Sequence, residues 1–392
     1  MQFDPRDPTF RLDPYPTYAL LREHAPIYYW PEWRIWFAST YADCAALLRD
    51  PRLGREQLGT AAPPPSQSAL NMMMSNWMLL RDPPDHTRLR GLVHKAFTPR
   101  IVAQMQERIQ EIADDLLDQV QEQGQMDLVA DYAYPLPVTV ICALLGVPAA
   151  DYPRFHVWSD AIARALDLTD VTEIYDQASV AAGELTAYLD ELLAERRKRP
   201  QADLFSALVA VEEQGQHLSR EELFATCALL LIAGHETTVN LIGNGTLAML
   251  RHRSQWELLV DNPSLAESAV EELLRYDGPV QLTGRMVKEE FSYGEHKFKV
   301  GEQIAFLLGS ANRDARQFED PDQLNLTRND RRHLAFGAGI HYCLGAPLAR
   351  LEGGIAFATL ARRFPNLALG DDPISYRDNL TLRGLEKLHV TF

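Results

Sequence analysis

Phe336-Gly337-Ala338-Gly339-Ile340-His341-Tyr342-Cys343-Leu344-Gly345 sets three glycines around a single cysteine. Glycine lets a backbone press close to something flat or bulky, because a side chain would obstruct the approach. Ala346-Pro347-Leu348 follows at once, and proline is favoured at the start of a helix. A sulfur placed just before a helix N-terminus is helped toward the thiolate by free amide N–H groups. That help is about 0.3–1 kcal/mol, less than one pKa unit at about 1.4 kcal/mol each. A permanently ionised sulfur here therefore needs a metal bound to it. The alternative is a buried structural cysteine in a glycine turn.

The surrounding chain has 392 residues, of which 46% are apolar. That is enough for a large core and excludes disorder and small disulfide-stapled scaffolds. With 54 acidic and 38 basic residues the net charge is −16, and the one block of cations is Arg196-Arg197-Lys198-Arg199. A polyanion needs a long cationic face, so nucleic acid is excluded as a partner. Cys44, Cys142, Cys227 and Cys343 stand far apart, with no close pair for zinc. The start, Met1-Gln2-Phe3-Asp4-Pro5, has no charged-then-apolar signal pattern, so a reducing, cytoplasmic location is expected. The longest apolar run, Phe224 to Gly234, is about half a bilayer span and ends at His235-Glu236, so no membrane association is expected.

Tyr28-Tyr29-Trp30 and Arg34-Ile35-Trp36-Phe37 predict a hairpin around Pro31-Glu32. Residues 54–84, with Ala61-Ala62-Pro63-Pro64-Pro65 and Met72-Met73-Met74, read as a long irregular loop. Helical periodicity then dominates. Pro99 to Gln123 reads as one amphipathic helix on Ile101, Met105, Ile109, Ile112, Leu116 and Val120. Further helices are expected at 151–166, 172–199, 219–250 (opening on a Ser219–Glu222 capping box), 264–276 and 345–363. Short strands are expected between Pro279 and Gln303, and 311–342 reads as irregular. The sum is one mainly α domain with minor β.

Three more clusters carry chemistry. Ala233-Gly234-His235-Glu236-Thr237-Thr238 interrupts an apolar helix. Mid-helix glycine costs about 1 kcal/mol relative to alanine, and an acid beside threonine is unwelcome in a core. One reading is a kink with solvated polar groups. The other is a gap where a small ligand sits beside an acid and a hydroxyl able to relay protons. A zinc-protease reading fails because Val239 occupies the second histidine position, and Gly243-Asn244-Gly245 lacks the preceding strand of a dinucleotide loop. Glu272-Leu273-Leu274-Arg275 places opposite charges one turn apart, which alone is an ordinary helical pair. His86 and Arg90, four apart after Asp82-Pro83-Pro84-Asp85, share a helix face, which alone is a solvated basic face.

Phe336, Gly339, His341, Cys343 and Gly345 fill every fixed position of the haem-binding signature of the cytochrome P450 monooxygenases, which the chain resembles from about Pro14 to Phe392. The resemblance implies a single haem-binding domain over residues 1–392, helix-rich and triangular with small sheets. It implies haem b with Cys343 as axial thiolate, pushing electron density toward O–O cleavage, and O2 as co-substrate. Gly234 matches the residue that opens the oxygen-binding groove. Thr237 matches the hydrogen bond to dioxygen, and Glu236 the group that feeds protons from water. His86, Arg90, Arg285 and His341 match the donors that hold the haem propionates through charge-assisted hydrogen bonds. Glu272, Arg275 and Arg328 match a structural trio packed beneath the haem. Ala315, after Asn312-Arg313-Asp314, departs from the usual proline.

The wording around Pro84-Asp85-His86 and Ala233 to Asn244 is most similar to soluble bacterial members that oxidise macrolides or fatty acyl chains. By the same resemblance Met78, Leu79, Ala233, Val280 and Leu382 line a substrate pocket, with residues 54–84 as part of a lid. This aliphatic and thioether lining, with Met72, Met73 and Met74, implies a large or long apolar substrate such as a macrolide, terpenoid or fatty acyl chain, unless the methionines merely pack the core. No flavin or dinucleotide domain fits after the last helix. Electrons are therefore expected from a ferredoxin or flavodoxin with an NAD(P)H-dependent reductase, docking near Arg88, Lys95, Arg100, Arg331, Arg332 and Arg350. The competing readings are an H2O2-driven peroxygenase and a non-enzymatic haem sensor or carrier.

Overall fold

The computed structural model describes residues 4, 7–56, 65–167, 171–213 and 218–392. Helices dominate, and they fall into two compact units that interleave along the chain. One unit holds Met1–Leu58, Ala113–Pro135 and Thr237–Phe392, and the other holds Gly59–Ile112 and Leu136–Glu236.

The first unit carries a five-stranded sheet in the order Ile27–Trp30, Ile35–Ala38, Gln303–Leu307, Leu282–Val287, Leu53–Gly54. The hairpin expected near residue 31 forms its edge, with Tyr28 opposite Phe37 and Trp30 opposite Ile35. Ile35 and Phe37 are buried while Trp36 is half-buried, the alternation of a strand with one face on the core. Gln303–Leu307 lies in the middle, parallel to Ile35–Ala38 and antiparallel to Leu282–Val287. Ile304 to Leu307 are all buried, so this strand offers no alternation to read and extends past the expected strand region. Phe298, Phe306, Leu47 and Leu334 join the core of this unit. Two smaller sheets pair Gln125–Asp127 with His389–Thr391 and Ala368–Leu369, and Phe291–Tyr293 with His296–Phe298. The helices Ala266–Asp277 and Ala346–Arg363 pack against one another in the same unit.

In the second unit Tyr152–Arg164 lies along Thr172–Lys198. Phe155 meets Trp158 and Tyr188 edge to face at 5.3 and 5.0 Å, geometry that favours the ring quadrupoles. Buried Arg196 donates to Asp203 and to the Gly146 carbonyl, tying three segments together.

Two expectations need correction. Residues 99–123 do not form one helix but two, Pro99–Gln104 and Gln106–Asp118. At Met105 the N–H bonds to Val102 three residues back, tightening the turn and breaking the axis. Residues 65–80 are not irregular either: Ser68–Ser75 is helical, flanked by 3-10 turns at Pro65–Gln67 and Met78–Leu80, while 57–64 lie outside the described residues. The methionine run is split by that helix, with Met73 in the core and Met72 at the surface.

The helix Arg220–Arg251 runs through both units, whose boundary falls between Glu236 and Thr237. Its start is the expected capping box: Glu222 N–H donates to Ser219 Oγ, and Ser219 N–H to Glu222 Oε2. The helix is long and apolar enough by composition to cross a bilayer, but 78% of its most apolar window is buried in the protein, as in a core helix.

Candidate functional site

The cysteine loop owes its shape to its glycines. Gly337 and Gly339 adopt φ of 70° and 72°, the left-handed region that side chains resist. A β-carbon on Gly339 would also fall 2.8 Å from the Leu48 carbonyl oxygen. Cys343 N–H donates to the Phe336 carbonyl at 3.0 Å, which closes the loop, and Gly345 caps the helix Ala346–Arg363. Of the four cysteines only Cys343 is not buried. Burial pushes the thiols of Cys44, Cys142 and Cys227 up, that of Cys142 to about 12, so they stay protonated at neutral pH.

The Arg220–Arg251 helix has one open strip. Between Leu223 and Leu250 every residue is buried except Leu230, Ala233, Gly234 and Thr237, whose spacing of three and four puts them on a single face. Gly234 is also a close-packing point: a β-carbon there would lie 3.0 Å from Cγ1 and Cδ1 of Ile141 on the helix Pro135–Leu145. Glu236 is buried next to the strip. His235, also buried, approaches the Leu231 carbonyl with Nδ1 at 2.8 Å, leaving Nε2 3.3 Å from Ser159 Oγ and 3.9 Å from Glu236 Oε2.

Glu272 and Arg275 are buried and joined by two hydrogen bonds of 2.8 Å. Arg328 Nε lies 3.2 and 3.1 Å from the two oxygens of the same carboxylate, and Asn325 N–H adds another bond at 2.9 Å. Arg275 spends its remaining donors on the carbonyls of Asn312, Pro321 and Gln323. This trio pins the irregular segment before the cysteine loop to the Ala266–Asp277 helix.

The four propionate candidates divide between the units. His86, buried, and Arg90 lie on one face of the helix Asp85–Ala96 in the second unit. In the first, Arg285 is buried on the strand Leu282–Val287 and His341 is half-buried in the cysteine loop. Among the pocket candidates, Val280 and Leu382 meet as an antiparallel bridge, and Met78 is buried with Leu79 half-buried beside it. Taken by residue type, an unburied thiol, two imidazoles and two guanidiniums are the kinds of donor that an iron porphyrin with two carboxylates needs.

The cations expected to attract a redox partner are partly neutralised. Arg88 pairs with Glu222, Arg332 with Asp330, and Arg350 with Glu271; Lys95, Arg100, Arg331 and Arg332 lie exposed. Spacing alone does not reveal such pairing. Two acids also escaped the sequence reading. Glu271 accepts from His333 and Arg350, and Glu352 on Ala346–Arg363 is fully buried. Burial holds the Glu352 carboxyl well above the usual range, with Thr238 pulling weakly the other way. Neither position carries a sequence signal, because only the packing of distant helices creates its environment.

The sequence matches the family description "Cytochrome P450" over residues 53–259 and 254–387. It is 41% identical to the polyketide biosynthesis cytochrome P450 PksS of Bacillus subtilis, covering 100% of this chain and 98% of that protein. It is 44% identical to a vitamin D(3) 25-hydroxylase of Pseudonocardia autotrophica, covering 98% and 94%. Among solved structures, P450BioI in complex with an acyl carrier protein bearing hexadec-9Z-enoic acid superimposes with a TM-score of 0.93 at 39% identity, covering 98% of this chain and 100% of that one.

Proposed function

The chain belongs to the cytochrome P450 family of haem-thiolate monooxygenases, and from that premise we propose the residues that do the work, the substrate class and the electron source. Cys343 would hold the haem iron through its thiolate. His86, Arg90, Arg285 and His341 would bind the propionates, with Phe336, Gly339 and Gly345 shaping the loop that carries the cysteine. When bound, the haem supplies dioxygen activation and the transfer of one oxygen atom to substrate. Thr237 offers its hydroxyl on the open strip, and Glu236 is the group that would feed protons from water. Gly234 keeps the strip open, and Glu272, Arg275 and Arg328 hold the approach to the cysteine loop. The whole of residues 1–392 acts as one haem-binding domain, a reading supported by the interleaving of the two units and the helix they share.

The observation that carries this reading is the strip Leu230–Ala233–Gly234–Thr237, the only opening on an otherwise buried stretch of core helix. Met78, Leu79, Ala233, Val280 and Leu382 exclude water and orient a mainly apolar substrate, such as a macrolide, terpenoid or fatty acyl chain. The polyketide, vitamin D and fatty acyl contexts named for the relatives support that class. Electrons come from a ferredoxin or flavodoxin with its NAD(P)H-dependent reductase, in the cytoplasm. The burial of the one bilayer-length helix among the described residues and the four dispersed cysteines support that location. Titration of the ferric protein with a chemically diverse panel tests the substrate class. Apolar compounds shift the ferric spin state, and a panel in which only small charged molecules did so would overturn it.

A further inference from the structure

Glu271 and Glu272 are consecutive on the helix Ala266–Asp277, yet they feed separate networks. Glu272 serves Arg275 and Arg328. Glu271 faces the other way along the chain, toward the loop that carries Cys343. Arg350 Nε donates to Glu271 Oε1 at 2.5 Å and Nη2 to Oε2 at 3.2 Å. His333 Nε2 lies 3.1 Å from Oε2, and His333 Nδ1 accepts the Ala335 N–H at 3.2 Å. An imidazole nitrogen that accepts from a backbone amide carries no proton, so the His333 proton sits on Nε2 and points at the carboxylate.

The second arm runs through Arg350. Its guanidinium lies 4.6 Å from the centroid of the Phe336 ring, and Nη1 is 3.3 Å from the Tyr342 hydroxyl. Phe336 and Tyr342 contact each other edge to face at 6.2 Å, and the Phe336 carbonyl receives the Cys343 N–H. One carboxylate therefore grips both ends of the segment from His333 to Tyr342, immediately before the sulfur. The His333 side chain is 2% exposed and that of Glu271 9%, so their bond lies largely out of water, while the Arg350 side chain is 36% exposed. Burial pushes the Glu271 carboxyl up, but the hydrogen bonds from His333 and Arg350 outweigh it and draw it down to about 2. The acid is thus ionised wherever the protein is folded at ordinary pH. Arg350, in turn, is committed to holding the loop and is not a cation offered to a partner.

We propose that Glu271, acting through His333 and Arg350, is the positioning residue for the Cys343 thiolate. A thiolate that must remain a ligand through the reaction needs a fixed backbone, and this loop has no strand or regular helix of its own beyond the single turn Gly339–His341. Ligand-supporting hydrogen bonds outside the coordination sphere commonly set how well a ligand is held. The inference rests on the reading of Cys343 as the iron ligand.

The test uses the reduced, carbon-monoxide-bound holoenzyme in mild urea. The rate at which its red-shifted Soret band disappears is followed alongside thermal unfolding by circular dichroism. The parent shows the band, and Glu271→Gln, folded by circular dichroism, loses it about tenfold to a hundredfold faster, as losing a charge-assisted hydrogen bond predicts. Glu271→Asp recovers part of the difference. If Glu271→Gln does not fold, Arg350→Lys keeps the charge but loses the forked, stacked geometry and carries the same expectation. A folded variant that lost the band no faster than the parent would overturn the positioning role. A parent that never showed the band would overturn the cysteine reading itself, and the two failures are told apart by the parent spectrum.

Discussion

Gly234 and Ile141 pack so closely that a β-carbon on the glycine would stand 3.0 Å from two carbons of the isoleucine. The glycine therefore has a packing reason to exist as well as its place on the open strip. Overpacking costs about 1–3 kcal/mol, and the better helix propensity of alanine offsets about 1 kcal/mol. Gly234→Ala is expected to lose about 0–2 kcal/mol in thermal unfolding. Adding Ile141→Val, which deletes Cδ1 but leaves Cγ1, recovers part of the stability but not the spin-state response to ligand, because the strip residue still carries a methyl. Recovery of both would show that the glycine serves packing alone.

Thr237→Ala removes the one hydroxyl on that strip. Reductant consumption is expected to continue while product falls and hydrogen peroxide rises, measured as product formed per NAD(P)H oxidised. Coupling equal to the parent would mean that protons arrive by another route.

The buried trio makes a strong stability prediction. Removing one partner of a buried ion pair leaves uncompensated charge and costs about 3–5 kcal/mol. Glu272→Gln strands Arg275 and Arg328 in this way. Glu111→Gln, by contrast, breaks an exposed pair with Arg108 worth about 0–1 kcal/mol. Denaturant unfolding of the two variants should differ by about 2 kcal/mol or more, and equal midpoints would contradict the structural role.

Two acids give stability slopes of opposite sign. The Glu271 carboxyl is held at about 2, below its ordinary 4.5, so its contribution is present above pH 4.5 and is lost as pH falls toward 2. The Glu352 carboxyl is held well above 4.5, so the folded state keeps a proton that the unfolded chain releases, and stability is lost as pH rises past 4.5. Urea unfolding across this range should show Glu271→Gln converging on the parent at low pH. Glu352→Gln should be at least as stable as the parent at pH 7, and a large loss there would mean Glu352 is charged and paired.

Arg331 is exposed, whereas its neighbour Arg332 is held by Asp330. Arg331→Glu should slow reduction by a ferredoxin system at low ionic strength more than Arg332→Glu does. The difference should fade above about 0.1 M salt, where the Debye length is about 10 Å. Stopped-flow reduction indifferent to both charge and salt would refute electrostatic docking on this face.

How much was legible in the sequence depends on whether the signal is local. The cysteine loop, the capping box at Ser219 and the hairpin around Pro31 are written in consecutive residues, and the structure forms all three. The helix break at Met105 was not legible, because an apolar face continues across it while the backbone tightens. The strand Gln303–Leu307 was not, because burial on both faces erases the alternation. Glu271 and Glu352 were invisible for a different reason. Their partners lie 62 and more residues away for Glu271, and on another helix for Glu352, so only tertiary packing gives them meaning.

The measurement closest to the centre of this account is the absorption spectrum of the reduced, carbon-monoxide-bound protein for the parent and for Cys343→Ser. The parent is predicted to show the red-shifted Soret band that thiolate donation produces, and Cys343→Ser to lose it, since an alcohol cannot match that donation. Cys44→Ala, Cys142→Ala and Cys227→Ala, altering buried and protonated thiols, should leave the band in place. A Cys343→Ser protein that kept the parent spectrum would contradict the assignment of the iron ligand.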